Sequence, residues 1–294
     1  MDLLTQLEYD GRWIKSVIAD AEKLKKDGKR YREALEGKVL SMLFMKNSTR
    51  TRVSFEAGFA QLGGHAIFLD WRTTNFTKGS LKDEIRCLDR YSDIIMARVF
   101  RHQEIVDIAD AAEVPVINGL CDTYHPCQAL ADVMTAYEKL KTYKFKLAYI
   151  GDGNNVCNSL LIACAKVGAE ISVASPKGYE PAANAVNYAK AHGTLTLTDD
   201  PKEAAKDADI VYTDAWVGLG QEGEKDGRMK AFAGYTVNEE LLGYAYFMHC
   251  LPALRGYEVT DEVMDSPKSM IYDEAENRMH AQKAVMMRLL GKKV

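Results

Sequence analysis

Short apolar runs alternate with segments of helical period along almost the whole chain, and this rhythm restricts the fold more than any other feature. Residues 39–45 read as a buried strand. Residues 51–62 read as a helix, with Phe55, Phe59 and Leu62 at helical spacing, and residues 66–69 as the next strand, with Gly63-Gly64 ending the helix between them. A strand–helix–strand unit implies parallel pairing and a right-handed crossover. The rhythm continues through a strand at 94–98, a helix at 103–112 and a strand at 114–117. A helix at 126–139 follows, carrying proline in its first turn. A second series opens with a strand at 147–150, a loop at 151–155 and an apolar helix at 156–167. Further strands are expected at 171–174, 194–197, 210–213, 246–248 and 269–272, and a closing helix at 274–290. Such alternation predicts an α/β fold of two domains, each a mostly parallel sheet flanked by helices. The boundary is expected near 137–143, where the sequence turns polar and basic.

Composition removes several function classes. The 294 residues carry 38 basic and 42 acidic side chains, for a net charge of −4, and 47% of them are hydrophobic. That balance leaves no global electrostatic footprint for nucleic acid or an anionic membrane. No apolar run approaches the ~18 residues of a membrane span, and the opening Met1-Asp2-Leu3-Leu4 lacks the pattern of a secretory signal. The six cysteines fit neither a zinc site nor a disulfide framework. Reduced thiols in a cytoplasm follow as the simplest expectation.

In open α/β sheets ligands bind beyond the carboxyl ends of strands. After the first strand stands Ser48-Thr49-Arg50-Thr51-Arg52, at a helix start. Free backbone N–H groups, hydroxyls and guanidiniums gathered there are built like a phosphate cradle. The plainer reading is a capped helix with solvated arginines. Arg98 ends the third strand. His125 precedes a helix with Gln128 one turn on, an imidazole and an amide suited to polarising a carbonyl, or else a capping or core histidine. Gly151-Asp152-Gly153-Asn154-Asn155 resembles the start of a dinucleotide fingerprint. Val156 occupies the third glycine position, however, and the later acidic residue is missing, which argues against a nicotinamide enzyme. Asp214 ends another strand and suits a substrate ammonium, or caps its loop. Cys250, in His249-Cys250-Leu251-Pro252, is either a nucleophile or a small buried thiol. Arg278 sits on the closing helix.

Together these motifs resemble the aspartate/ornithine carbamoyltransferase family. Ser48-Thr49-Arg50-Thr51-Arg52, the run from His125-Pro126-Cys127-Gln128 to Asp132, His249-Cys250-Leu251-Pro252 and the run from Asp273-Glu274 to Asn277-Arg278 occur in the family's order. His-Cys-Leu-Pro is similar to the ornithine type. The resemblance implies a carbamoyl-phosphate domain over residues 1–138, completed by a C-terminal helix at 274–294 that returns to it, and an ornithine domain over 139–273. It implies that Ser48, Thr49, Arg50, Thr51, Arg98, His125, Gln128, Cys250, Leu251 and Arg278 hold carbamoyl phosphate, with Arg50, Arg98, His125 and Cys250 catalytic. Asn155, Asp214, Gly218 and Leu219 would hold ornithine. Gly218 and Leu219 stand where the ornithine type carries serine and methionine, so putrescine or another amine stays open, as does a non-catalytic relative. No metal or cofactor is implied. A cytoplasmic homotrimer, or a multiple of trimers, is expected, with the loop of Lys78 and Ser80 near a neighbouring active site.

Overall fold

The computed structural model describes residues 1–218 and 222–294. Contacts divide the chain into two units. One comprises Met1–Ala131 with Glu276–Val294, the other Asp132–Ala275.

In the first unit, four strands alternate with helices: α1 (Gly11–Lys26), β1 (Val39–Phe44), α2 (Thr49–Gln61), β2 (His65–Asp70), α3 (Leu81–Asp89), β3 (Ile94–Arg98), α4 (His102–Ala111) and β4 (Val116–Leu120). The sheet is parallel throughout, in the order β2-β1-β3-β4. β1 and β3 are central and buried almost end to end, which is why they read as continuous apolar runs. β2 lies at an edge and alternates in exposure. Leu3 bridges to Ile117 beside β4, a pairing too short to signal itself in the sequence.

α5 (Pro126–Leu140) leads to the second unit: β5 (Lys146–Ile150), α6 (Asn155–Val167), β6 (Glu170–Ala174), α7 (Ala183–His192), β7 (Thr194–Thr198), α8 (Pro201–Ala205), β8 (Ile210–Tyr212), α9 (Lys225–Ala231), α10 (Glu239–Leu242), β9 (Tyr246–Met248) and α11 (Asp261–Met264). α12 (Ile271–Leu289) closes the chain. This sheet too is parallel, ordered β7-β6-β5-β8-β9. Tyr149 and Tyr212, from adjacent strands, stack with ring centroids 5.7 Å apart in the fully buried core. The α/β architecture expected from the alternation is present in both units. No helix among the described residues is long and apolar enough to cross a membrane, and none of the six cysteines forms a disulfide.

Two expected elements differ. Residues 269–272 are not a strand. Ser269 makes a single bridge with Phe247, and the apolar pair Met270-Ile271 opens α12, where Glu274 N donates to Met270 O at 2.9 Å. A short apolar run does not by itself separate strand from helix. The strand expected at 114–117 begins at Val116, because Pro115 has no N–H to give a ladder; it therefore runs through Asn118 and Gly119.

In each sheet the strand order reverses once, between β1 and β3 and between β5 and β8. The loops at the carboxyl ends of these four strands begin at Met45, Val99, Gly151 and Thr213, and they border the positions where ligands enter such sheets. Gly153 in the third loop is a glycine for a packing reason: a Cβ there would lie 2.2 Å from Pro181 N and 2.4 Å from Glu180 C. Gly153→Ala is expected to destabilise the protein by about 1–3 kcal/mol. Thermal unfolding measures this, and an unchanged midpoint would contradict the packing.

Candidate active site

In the first unit the loop after β1 turns into α2 at Ser48. Ser48 has extended backbone, and its Oγ accepts from Thr51 N at 3.3 Å, so it caps the helix. Thr49 is exposed and Arg50 partly so. Thr51 is buried, and its Oγ1 accepts from two arginines: Arg98 Nη1, from the end of β3, at 3.4 Å and Arg278 Nη2, from α12, at 2.9 Å. Arg278 Nη1 also donates to Gln128 Oε1, in the first turn of α5. Arg52 points elsewhere. It is exposed, stacks over the Phe68 ring at 3.8 Å and pairs with Glu56 at 3.1 Å.

This cluster is cationic and buried. Arg278 is 3% exposed, yet both of its hydrogen bonds go to neutral oxygens, and among the described residues its Nε has no hydrogen-bond partner. Removing a guanidinium from water without an opposing carboxylate is costly. The arrangement therefore favours whatever anion enters. His125 feels the same field. Burial first, then Arg278, Arg98 and Lys46, push its imidazole well below its ordinary value of 6.5. It is neutral at pH 7, with one N–H to give. Lys46 carries a lowered ammonium for like reasons, burial and then Arg98. Nothing in its spacing marked it; it lies in the short loop between β1 and the helix cap at Ser48.

In the second unit Asn154, after β5, does two things. Its Oδ1 caps α6 by accepting from Val156 N at 2.9 Å and Cys157 N at 3.2 Å, and its Nδ2 donates to Asp214 Oδ2 at 2.8 Å. Asp214, after β8, also accepts from Ala215 N at 2.8 Å and from Cys250 Sγ at 3.1 Å. Burial, Asp214 and then Glu274 push the Cys250 thiol well up. Cys250 is thus a donor, and the physical requirement of a thiolate nucleophile is unmet. Asn155, the residue singled out from the sequence, is the first residue of α6 and partly buried. Gly218 is partly buried, while Leu219 lies outside the described residues.

The turn after β9 is held from several sides. His249 is fully buried. Its Nδ1 accepts from Leu251 N at 2.8 Å, so the proton sits on Nε2, which faces Glu258 Oε1 at 3.3 Å. Leu251 adopts φ +59°, a conformation most side chains avoid. His249 N donates to Glu274 Oε2 at 2.9 Å. Asp214, His249 and Cys250 bring metal-type donor atoms within 4.8 Å of one another, but the hydrogen bonds above already engage all three side chains. Further along, Arg228 pairs with Asp152 at 2.7 Å and with Glu224 at 2.9 Å, which ties the 151–155 loop to α9. Asn154, Glu258 and Arg228 carried no assigned role in the sequence reading; only Asn154 left a signal, an asparagine directly before an apolar helix.

Comparison with known proteins decides the family. The model of the aspartate/ornithine carbamoyltransferase carbamoyl-P binding domain matches residues 1–138, and that of the Asp/Orn binding domain matches residues 143–289. The chain belongs to the aspartate/ornithine carbamoyltransferase family. The ornithine carbamoyltransferase of Pyrococcus horikoshii is 51% identical, with 99% of this chain and 96% of that protein covered. The Bacillus subtilis ornithine carbamoyltransferase is 48% identical over 99% of this chain and 94% of its own length. The solved ornithine carbamoyltransferase of Pyrococcus furiosus superposes with a TM-score of 0.94 at 48% identity, covering 100% of this chain and 98% of that one. Other ornithine carbamoyltransferase structures, such as that from Thermus thermophilus, superpose similarly, with a TM-score of 0.90. The resemblance read from the motifs is therefore correct at the level of the family.

The depressed His125 gives a pH signature. Below pH 6.5 the unfolded chain binds a proton that the native imidazole refuses, so native stability falls with pH. In phosphate-free buffer the loss of thermal stability from about pH 7 to about pH 5 is expected to be smaller in His125→Gln than in the parent, by up to one proton's worth. Equal slopes would contradict the depressed imidazole.

Proposed function

We propose that this protein is an ornithine carbamoyltransferase, moving the carbamoyl group of carbamoyl phosphate to the side-chain amine of L-ornithine and releasing citrulline and phosphate. The observation that carries the reading is Arg278. A buried guanidinium bonded to Thr51 and Gln128 beside Arg98, with neutral oxygens as its partners, suits a phosphorylated donor. Asp214 supports the choice of acceptor. A carboxylate held by Asn154, Ala215 N and Cys250 suits an ammonium and repels a second carboxylate.

In this reading Ser48, Thr49, Arg50 and Thr51 bind the phosphate at the N-terminus of α2, where the helix dipole and free N–H groups favour an anion. Arg98 bridges phosphate and carbonyl oxygen. Neutral His125 donates to the carbonyl oxygen, and Gln128 and the backbone carbonyls of Cys250 and Leu251 hold the carbamoyl amide. Arg278 completes the donor site, and Asn155, Asp214, Gly218 and Leu219 bind the amino-acid end of ornithine. The attacking amine must be neutral, yet an alkyl ammonium loses its proton only near pH ~10.4 in water. Desolvation among arginines lowers that value. Attack gives a tetrahedral oxyanion stabilised by Arg50, Arg98 and His125. As it collapses the C–O bond to phosphate breaks, and the leaving phosphate takes the amine's proton. Cys250 orients the amine and forms no bond to carbon.

Residues 1–138 with 274–294 serve the donor, and 139–273 the acceptor. The enzyme is cytoplasmic, in keeping with six cysteines that form no disulfide. It assembles as a homotrimer or a multiple of one, and the exposed Lys78 and Ser80 lie near a neighbour's active site.

Arg278→Met is expected to lower turnover at least about 100-fold and to abolish the thermal shift induced by carbamoyl phosphate. The unliganded variant keeps its melting temperature or gains, because a buried uncompensated charge is gone. A variant that still binds the donor would remove this assignment. Asp214→Asn is expected to raise the KM for ornithine about tenfold or more with donor KM unchanged. Phosphate release with ornithine, putrescine and aspartate measures this and the acceptor choice together. Faster turnover of putrescine than of ornithine would overturn the proposed substrate.

A further inference from the structure

Two acidic side chains are buried side by side in the second unit. Glu274 is 0% exposed and Asp132 1%, and their carboxyl groups are hydrogen-bonded to each other. Two carboxylates offer only acceptors, so that bond requires one of them to keep its proton. Burial first, and then Asp132, hold Glu274 well above the usual carboxylate range; the two titrate as a unit. The hydrogen bond therefore keeps a proton in the pair.

The pair faces the turn after β9. Glu274 Oε2 accepts from His249 N at 2.9 Å, and Oε1 accepts from Tyr212 Oη, on β8, at 3.1 Å. Tyr212 remains a phenol, its ionisation opposed by burial and then by Asp132 and Glu274. The other titratable groups in the pair's field are Cys164 on α6, affected by Asp132, and Cys250, affected by both acids. His249 in turn holds Leu251 N on its Nδ1 at 2.8 Å. Cys250 is thus bracketed by two anchored residues, and its Sγ lies on Asp214 Oδ1 at 3.1 Å.

We propose, resting on the reading of this enzyme as an ornithine carbamoyltransferase, that Asp132 and Glu274 form a proton-sharing pair that positions Cys250 for the amine substrate. The pair fixes the backbone at His249, and so sets the place from which Cys250 Sγ donates to Asp214; burial and Asp214 come ahead of the pair in keeping the thiol protonated. Asp132 and Glu274 are positioning residues; they act through Cys250 and the turn.

The test compares the parent, Glu274→Gln, Glu274→Leu and the double variant Asp132→Asn with Glu274→Gln. Both substrate KM values and kcat are measured, with the rate at which iodoacetamide alkylates Cys250, read on its peptide by mass spectrometry. Glu274→Gln supplies an amide donor to Asp132 and an oxygen acceptor to His249 N, and leaves one charge. It is expected to keep ornithine KM within about threefold and the alkylation rate unchanged. The double variant removes the charge, so the thiol ionises more readily and alkylation accelerates about tenfold. Glu274→Leu loses the anchor, and ornithine KM rises about tenfold while carbamoyl phosphate KM holds. Acceleration already in Glu274→Gln would mean that the pair carries two charges, and would overturn the shared proton. Equal weakening of both substrates in Glu274→Leu would overturn the positioning role. If that variant fails to fold, Tyr212→Phe, which removes only the donation onto Oε1, is expected to raise ornithine KM about threefold, and no rise counts against the proposal. A parent enzyme without ornithine turnover would sink the functional reading, while the alkylation rates would still decide the proton.

Discussion

In each parallel sheet the order of strands reverses once, and that reversal constrains everything else in this protein. Crossover helices leave in opposite directions from the two strands at the reversal, so the loops that follow them stand over the sheet end with no crossover between them. In the first sheet the reversal brings together the start of α2 and the end of β3, hence Thr51 and Arg98. In the second it brings together the loop after β5 and the end of β8, hence Asn154 and Asp214. The chemistry-bearing side chains are far apart in sequence, and the backbone path makes them neighbours.

The two clusters differ in electrostatic character. The cluster around Thr51 concentrates positive charge among neutral oxygens and drives His125 to its neutral form. The cluster around Asp214 concentrates acidic groups and holds Cys250 as a thiol. Each polarity is opposite to that of the substrate group assigned to it. Burial strengthens both effects, since charges removed from water interact through a less polar medium.

Much of this was legible in the residues. The alternation of apolar runs gave the α/β class because buried parallel strands read as continuous hydrophobic stretches, as β1 and β3 do. The motif residues Arg50, Arg98, His125, Asp214 and Arg278 stood out because charged or polar groups followed strand ends or accompanied recurring motifs. Residues 269–272 misled because Met270-Ile271 is short enough to suit either element. Asp132 and Glu274 were visible inside motifs, yet their partnership was not, since a contact between carboxyls on two helices leaves no trace in spacing. Lys46 was equally silent: its environment is made by Arg98 and by burial, both supplied by the fold.

Asn154 ends one helix-capping duty and begins another task with the same side chain. Serine, threonine and aspartate would serve the helix start about as well. Aspartate, however, would set two carboxylates against each other, and the hydroxyl residues are a bond too short to reach Asp214 as the amide does. Of the cap-forming residues, asparagine alone supplies an acceptor to the backbone and a donor to the carboxylate at once. A substitution at this position therefore gives up the bond to Asp214 even where the helix cap survives, so one side chain couples the start of α6 to the end of β8.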